Sequence, residues 1–200
     1  KHPETHYKEG QAPLVGYATK RVKHSNDLFT EEALKYISER DGAKQPFFLY
    51  LAYTLPHANN EAMELGAPHG VEVPSLGRYA NESWPEVEKA KAAAITHLDG
   101  YVGQIIAALK RAKLGDETLI VFTSDNGPHE EGGVKANFFN SSGPLRGTKR
   151  DLYEGGIRVP MIARWPGRIK AGHVSDHVSA FWDVLPTFAE VAGIGSPKGI

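Results

Sequence analysis

Two apolar runs stand out from an otherwise mixed chain, at 47–53 and at 118–123. Turn-forming residues bound both: Pro46 precedes the first, Gly115-Asp116 precedes the second, and Asn126-Gly127 follows it. That is the pattern of buried strands, and the first run predicts a parallel strand covered on both faces. A shorter strand is predicted over 159–165, closed by Pro166-Gly167; Pro160 assigns it a strand start or a sheet edge. Helical periods lie between these runs. Thr30, with Glu31 and Glu32 behind it, predicts a helix start, with Leu34 and Ile37 on one face and Gly42 as the stop. Ser83 to Glu86 has the letters of a capping box, and Ile95, Leu98, Val102, Ile105 and Leu109 then form a 3-4-3-4 stripe. Lys110, Arg111 and Lys113 occupy the last turn of that helix. A final helix is predicted from Asp183, with Pro186 in its first turn, Leu185, Phe188 and Val191 facing inward, and Gly193 at its end. The stretches 58–82 and 127–158 read as long Gly-rich loops, and residues 1–24 show no period. Helices alternating with buried strands predict an α/β fold, a three-layer sandwich around a mostly parallel central sheet, as one domain over 1–200.

Composition narrows the function classes. The chain has 200 residues, 40% hydrophobic and 24% charged, with a formal net charge of -1. No polybasic surface for nucleic acid or membrane is implied, and no run reaches the length of a membrane span. There are no cysteines, so disulfides and thiolate sites are excluded within these residues. The first residue is Lys1 rather than Met, and no apolar leader follows it, so the sequence reads as an interior portion of a longer chain. Asn81 and Asn140 each open a match to the glycosylation sequon, a pattern short enough for chance matches.

Three segments carry candidate chemistry. Asp125 and Asn126 stand side by side at the carboxyl end of the 118–123 strand, the edge where α/β sheets bind ligands. Two hard oxygen donors in tandem suit a calcium-type cation, although a plain Asp-Asn-Gly turn has the same letters. His57 follows the 47–53 strand in the same way. It could contact an oxyanion or protonate a leaving oxygen, or simply tie down a loop. The third segment, 143–160, is dense in glycine and in charge, with Arg146, Lys149 and Arg158 among its cations. It suits close backbone approach and an anionic ligand, or equally a solvated basic loop.

Taken together, the 46–57 segment ending in Leu-Pro-His57, the Thr-Ser-Asp125-Asn126-Gly segment, and the Leu-Arg-Gly-Thr-Lys149-Arg-Asp-Leu-Tyr-Glu-Gly-Gly-Ile-Arg158-Val-Pro segment resemble the type I, formylglycine-dependent sulfatases. The resemblance runs from about residue 25 to the end and includes Trp165-Pro-Gly167 and the 183–187 segment. It implies an alkaline-phosphatase-like fold, present in part, and a sulfuric ester hydrolase acting on sulfated carbohydrate or aryl sulfate esters. It implies that Asp125 and Asn126 bind calcium, that Lys149 contacts the sulfate, and that His57 lies at the sulfate and leaving oxygen. Arg158 is then mainly structural, and His129, Asn140 and Arg146 are candidates for a sugar subsite. The Cys/Ser-x-Pro-x-Arg nucleophile motif and an early Asp pair do not occur in these 200 residues, so the chain as it stands is expected to be inactive. The resemblance favours a periplasmic or secreted parent and assigns no oligomeric state. A phosphate or phosphonate monoesterase of the same superfamily and a non-catalytic sulfated-glycan-binding domain are the alternatives.

Overall fold

The computed structural model describes residues 5–6, 17–18, 22–64, 66–195 and 199. Two short antiparallel strands, β1 (Thr5–His6) and β2 (Tyr17–Ala18), are described from the amino-terminal stretch. The rest of the aperiodic 1–21 segment lies outside the described residues. The main elements of the unit up to Gly167 are helices α1 (Ser25–Ser38) and α2 (Glu86–Arg111), strand β3 (Ile120–Thr123), the one-turn α3 (Glu154–Ile157), and strand β4 (Met161–Arg164). A second unit, 168–200, holds a 3-10 turn at Phe181–Asp183 and helix α4 (Val184–Val191).

Helix α1 starts five residues before the predicted Thr30. His24 caps it by accepting the Asn26 amide hydrogen at its ring nitrogen, 3.3 Å away. Asn26 extends the helix because its fully buried carboxamide is held by Thr54, accepting from Thr54 N at 3.0 Å and donating to Thr54 Oγ1 at 2.8 Å. Thr30 lies buried within the helix, its hydroxyl donating to Asn26 O. The capping box at Ser83 does not form: Pro85 stands at the N-cap of α2, without a side-chain cap. Proline lacks an N–H and has a fixed φ, so its neighbour Glu86 becomes the first helical residue.

Helix α2 packs on α1 and organises both apolar clusters. One joins Ala90, Ala94 and Tyr101 to Leu55, Val71 and Val134; the other joins Ala108, Leu109 and Ala112 to Ile37. The predicted stripe is thus only partly inward. Ile95 is exposed, while alanines make the closest approach because they let neighbouring segments lie against the helix backbone. Tyr101 crosses to α1, donating its hydroxyl to Asp27 Oδ1 at 2.5 Å. Lys113 takes the left-handed conformation (φ 57°) after the helix, and Leu114 N closes back on Leu109 O at 2.9 Å, so the stop comes before Gly115.

Strands β3 and β4 pair antiparallel, Ile120 opposite Arg164 and Thr123 opposite Met161. The predicted 47–53 strand has no paired neighbour among the described residues. Leu49 and Leu51 are half-buried, and Leu49 packs against the Ile37–Leu109 cluster. Phe48 and Tyr50 are 70% and 81% exposed, so the run is covered on one face rather than two. In α4, Ala189 is buried and Phe188 half-buried, but Leu185 and Val191 are exposed, against the predicted inward stripe. Asp183 stands at the N-cap, where its carboxylate accepts the Ala180 amide hydrogen at 2.7 Å.

Candidate active site

The site is built where three loops meet beyond β3 and the 47–53 segment. The chain leaves β3 at Thr123, whose hydroxyl donates to Pro160 O at 2.9 Å, and turns through Ser124 to Gly127. Gly127 N donates to Gly156 O at 2.9 Å, and a Cβ at Gly127 would stand 1.9 Å from Gly155 O. A Cβ at Gly155 would in turn stand only 2.1 Å from Gly147 O. Main chain therefore touches main chain, and no other residue type fits without displacement. Lys149 N then donates to Pro128 O at 2.8 Å, which ties the Lys149 loop to the turn carrying Asp125 and Asn126.

His57 and Lys149, 92 positions apart in the chain, meet here, with Lys149 Nζ 2.9 Å from His57 Nε2. His57 Nδ1 lies 2.6 Å from Ala58 O, which can only accept, so the ring carries its proton on Nδ1. In the neutral ring, Nε2 is then the acceptor for the Lys149 ammonium. His57 is 48% exposed at its side chain and open to a ligand, whereas Lys149, at 18%, is mostly covered. Lys149 also donates to Glu131 Oε2 at 2.9 Å, and Arg150 Nη2 stands 2.6 Å from Glu131 Oε1. The hydrogen bond from Lys149 holds the Glu131 carboxyl below the usual carboxylate range, aided by the charges of Lys149, Arg150 and His57 and opposed by burial.

Asp125 is exposed, and no hydrogen bond or ion pair engages its side chain among the described residues. Asn126 donates Nδ2 to Gly127 O at 2.8 Å, which leaves Oδ1 as its available oxygen. Two adjacent oxygen donors fit a hard cation such as calcium, but they supply only part of the six to eight ligands it takes. No group of three or more His, Cys, Asp or Glu residues suited to a metal occurs among the described residues.

The three sugar-subsite candidates are distributed differently. His129 is buried beside His57, with ring centroids 6.1 Å apart. Its Nε2 donates to Pro56 O and its Nδ1 accepts from Glu131 N, both at 3.1 Å, so both nitrogens are used by backbone. Burial lowers its pKa, in keeping with a neutral framing ring. Asn140 is exposed, takes the left-handed conformation (φ 51°) and lines a cavity of about 280 Å³ with Glu130, Asn137, Ser142 and Thr148. Arg146 stacks its guanidinium 3.7 Å from the Tyr153 ring centroid. Arg158 pairs with Glu154 at 3.2 Å.

Helix α2 supports this loop region with buried polar groups. Glu88 accepts from Lys135 N at 2.7 Å, and Lys91 donates to Ser141 Oγ at 3.0 Å. Burial pushes the Lys91 ammonium pKa down, against the opposing charges of Glu88 and Glu130. Glu131, Glu88 and Lys91 carry no sequence signal of their own. An acid beside Gly-Gly and two charges inside a helix look like solvated positions, and only the tertiary contacts set them apart.

The family model for Sulfatase matches residues 2–194. The dog N-acetylgalactosamine-6-sulfatase (Canis lupus familiaris) is 32% identical over 177 residues, covering 86% of this chain and 29% of the relative. Human steryl-sulfatase (Homo sapiens) is 34% identical over 174 residues, covering 84% of this chain and 26% of the relative. The crystal structure of Ps i-CgsB in complex with k-i-k-neocarrahexaose superposes with a TM-score of 0.70 at 32% identity, over 90% of this chain and 37% of that one. The chain thus spans under a third of the length of these curated relatives and somewhat more of that structure.

Proposed function

Because the chain belongs to the sulfatase family, with the α/β, alkaline-phosphatase-like fold of its structural neighbours in partial form, we propose that it forms the sulfate-binding and leaving-group side of a sulfuric ester hydrolase. The contact of Lys149 Nζ with His57 Nε2 at 2.9 Å carries this reading. Lys149 supplies positive charge and N–H donors to the anionic sulfuryl oxygens and so holds the sulfate in place while charge builds on the departing oxygen. His57, when protonated at Nε2, donates that proton to the departing oxygen. Asp125 and Asn126 would hold calcium, which when bound adds positive charge against the sulfate.

The substrate class we favour is a sulfated carbohydrate. The cavity beside Thr148 and Glu130 is lined by amides and hydroxyls. Next to it, Phe138 and Phe139 meet Trp84 edge-on, at centroid distances of 6.0 and 5.2 Å, and both phenyl rings are partly open. Hydroxyl-matching groups beside an apolar aromatic patch suit a sugar ring. Of the three sugar-subsite candidates, this assigns Asn140 the most direct contact and Arg146 a neighbouring one. A periplasmic or extracellular setting for the parent fits such a substrate; no helix among the described residues is long and apolar enough to cross a membrane.

The test is expression of the longest natural reading frame that contains this sequence. We expect calcium-dependent release of sulfate from a sulfated galacto-oligosaccharide and from 4-nitrophenyl sulfate, with strong loss in Lys149→Ala and His57→Ala. Faster hydrolysis of the matching phosphate ester, or activity indifferent to both substitutions, would refute it.

A further inference from the structure

We propose that Glu131 is the positioning residue of this site, fixing the Lys149 ammonium against His57 and supplying the counter-charge that keeps the pair together. Its catalytic meaning rests on the sulfatase reading above; its structural content does not.

The carboxylate is held from both ends. Before it, the Glu131 amide donates to His129 Nδ1, and His129 Nε2 donates to Pro56 O. After it, Gly132 (φ 63°) accepts from Gly70 N at 2.8 Å and lies so close to Ala58 that a Cβ there would stand 2.6 Å from the alanine methyl. Pro56 and Ala58 flank His57. The backbone of Glu131 is therefore registered to the segment that presents the imidazole.

Its side chain is only 12% exposed. Oε2 takes a hydrogen bond from Lys149 Nζ at 2.9 Å and lies 3.5 Å from His57 Nε2. Oε1 has no hydrogen-bond donor in line and is met by the charge of Arg150 alone, at 2.6 Å. Among the described residues, no other carboxylate forms an ion pair with Lys149 or His57. Without Glu131 the site would hold two fixed cations beside an imidazole that must itself become cationic to act as an acid.

Donor counting gives the geometric consequence. A lysine ammonium has three N–H groups. While His57 is neutral, one is spent on Glu131 and one on His57, which fixes the rotation of the group and leaves a single N–H for an incoming oxyanion. Glu131 acts through Lys149 and His57 and makes no contact with the ester in this arrangement.

Glu131→Gln tests this, since it removes the charge while keeping size and an oxygen that can accept from Lys149. In the 200-residue chain, the His57 ring signals, assigned with His57→Ala and read by NMR at one neutral pH, should change in Glu131→Gln, because the ammonium beside Nε2 is then held by a neutral oxygen only. In the full-length protein, kcat should fall about tenfold or more, within the range for misplaced acid catalysis, with a smaller change in KM. Glu131→Asp should restore part of it. If Glu131→Gln does not fold, Glu131→Asp carries the comparison, with a smaller change in the His57 ring signals. Unchanged His57 ring signals in a folded variant overturn the proposal. Changed His57 ring signals in a full-length protein that hydrolyses no sulfate ester support the Glu131 frame and count against the sulfatase reading instead.

Discussion

Replacing Asn26 by alanine should destabilise the fold from a position far from the chemistry in sequence. The Asn26 carboxamide is fully buried and bonded twice to Thr54, at 2.8 and 3.0 Å. Beside it, Thr30 Oγ1 meets the Tyr53 hydroxyl at 2.9 Å, so the first turn of α1 is fastened to residues just before His57. A neutral hydrogen bond contributes roughly 1 kcal/mol net, and more when a buried partner is left unmatched. Two such bonds and the small void left behind give a loss of about 2–3 kcal/mol. For a chain of this size each kcal/mol lowers Tm by about 2–4 °C, so a fall of about 4–12 °C is expected. Urea unfolding followed by circular dichroism would measure the free energy, and a thermal scan the shift in Tm. Thr54→Val removes only the hydroxyl partner and should cost about 1 kcal/mol. The double variant should cost less than the sum of the two, by at least about 0.5 kcal/mol, because the residues share a bond. A loss below about 0.5 kcal/mol for Asn26→Ala would mean that water replaces the carboxamide at Thr54 without penalty, and the reasoning would fail.

Gly155→Ala should be far more disruptive than an ordinary loop change, since its methyl would sit 2.1 Å from Gly147 O; soluble yield and melting temperature report this, and a variant as stable as the parent would contradict the contact. The Glu131 carboxyl has a folded pKa below its unfolded value of about 4.3, so its stabilisation is complete above that pH and is lost as pH falls through the folded pKa. The urea midpoints of the parent and Glu131→Gln should therefore differ at neutral pH and converge in acid, whereas a gap that widens in acid would reverse the sign. Calcium binding by the 200 residues alone should be weak by calorimetry, because Asp125 and Asn126 offer two side chains where the ion takes six to eight oxygens; micromolar binding abolished by Asp125→Ala would show a complete shell.

Much of the site is legible in the sequence because its parts sit at the ends of apolar runs. Residues 47–53 and 118–123 announce themselves by hydrophobicity, and His57, Asp125 and Asn126 follow them directly. Lys149 stands out through the glycine-rich segment around it, and the structure brings it to His57. Glu131 does not stand out, because its role depends on three cations or potential cations brought in from other loops. Sequence misplaces the start of α1 because burial of Asn26 depends on Thr54, 28 positions away, and local propensity cannot register that. The pattern of helix α2 is set by its large apolar residues, yet Ala90 and Ala94 lie deepest; small side chains give little hydrophobic signal but permit the closest packing. The 47–53 run predicts double coverage because composition reports total apolarity and not how many faces have neighbours.

The main-chain contact among Gly127, Gly147 and Gly155 bears on how such a protein can diverge. Its geometry is inherited through positions that admit a single amino acid, so almost any replacement there is eliminated at once. Around them, Arg146, Leu152 and Tyr153 are exposed, and their side chains can vary without moving the backbone that carries Lys149. Substitutions can therefore alter the surrounding surface one at a time, while the backbone that positions Lys149 stays fixed. A protein built this way would vary its surface readily and the framework beneath it hardly at all.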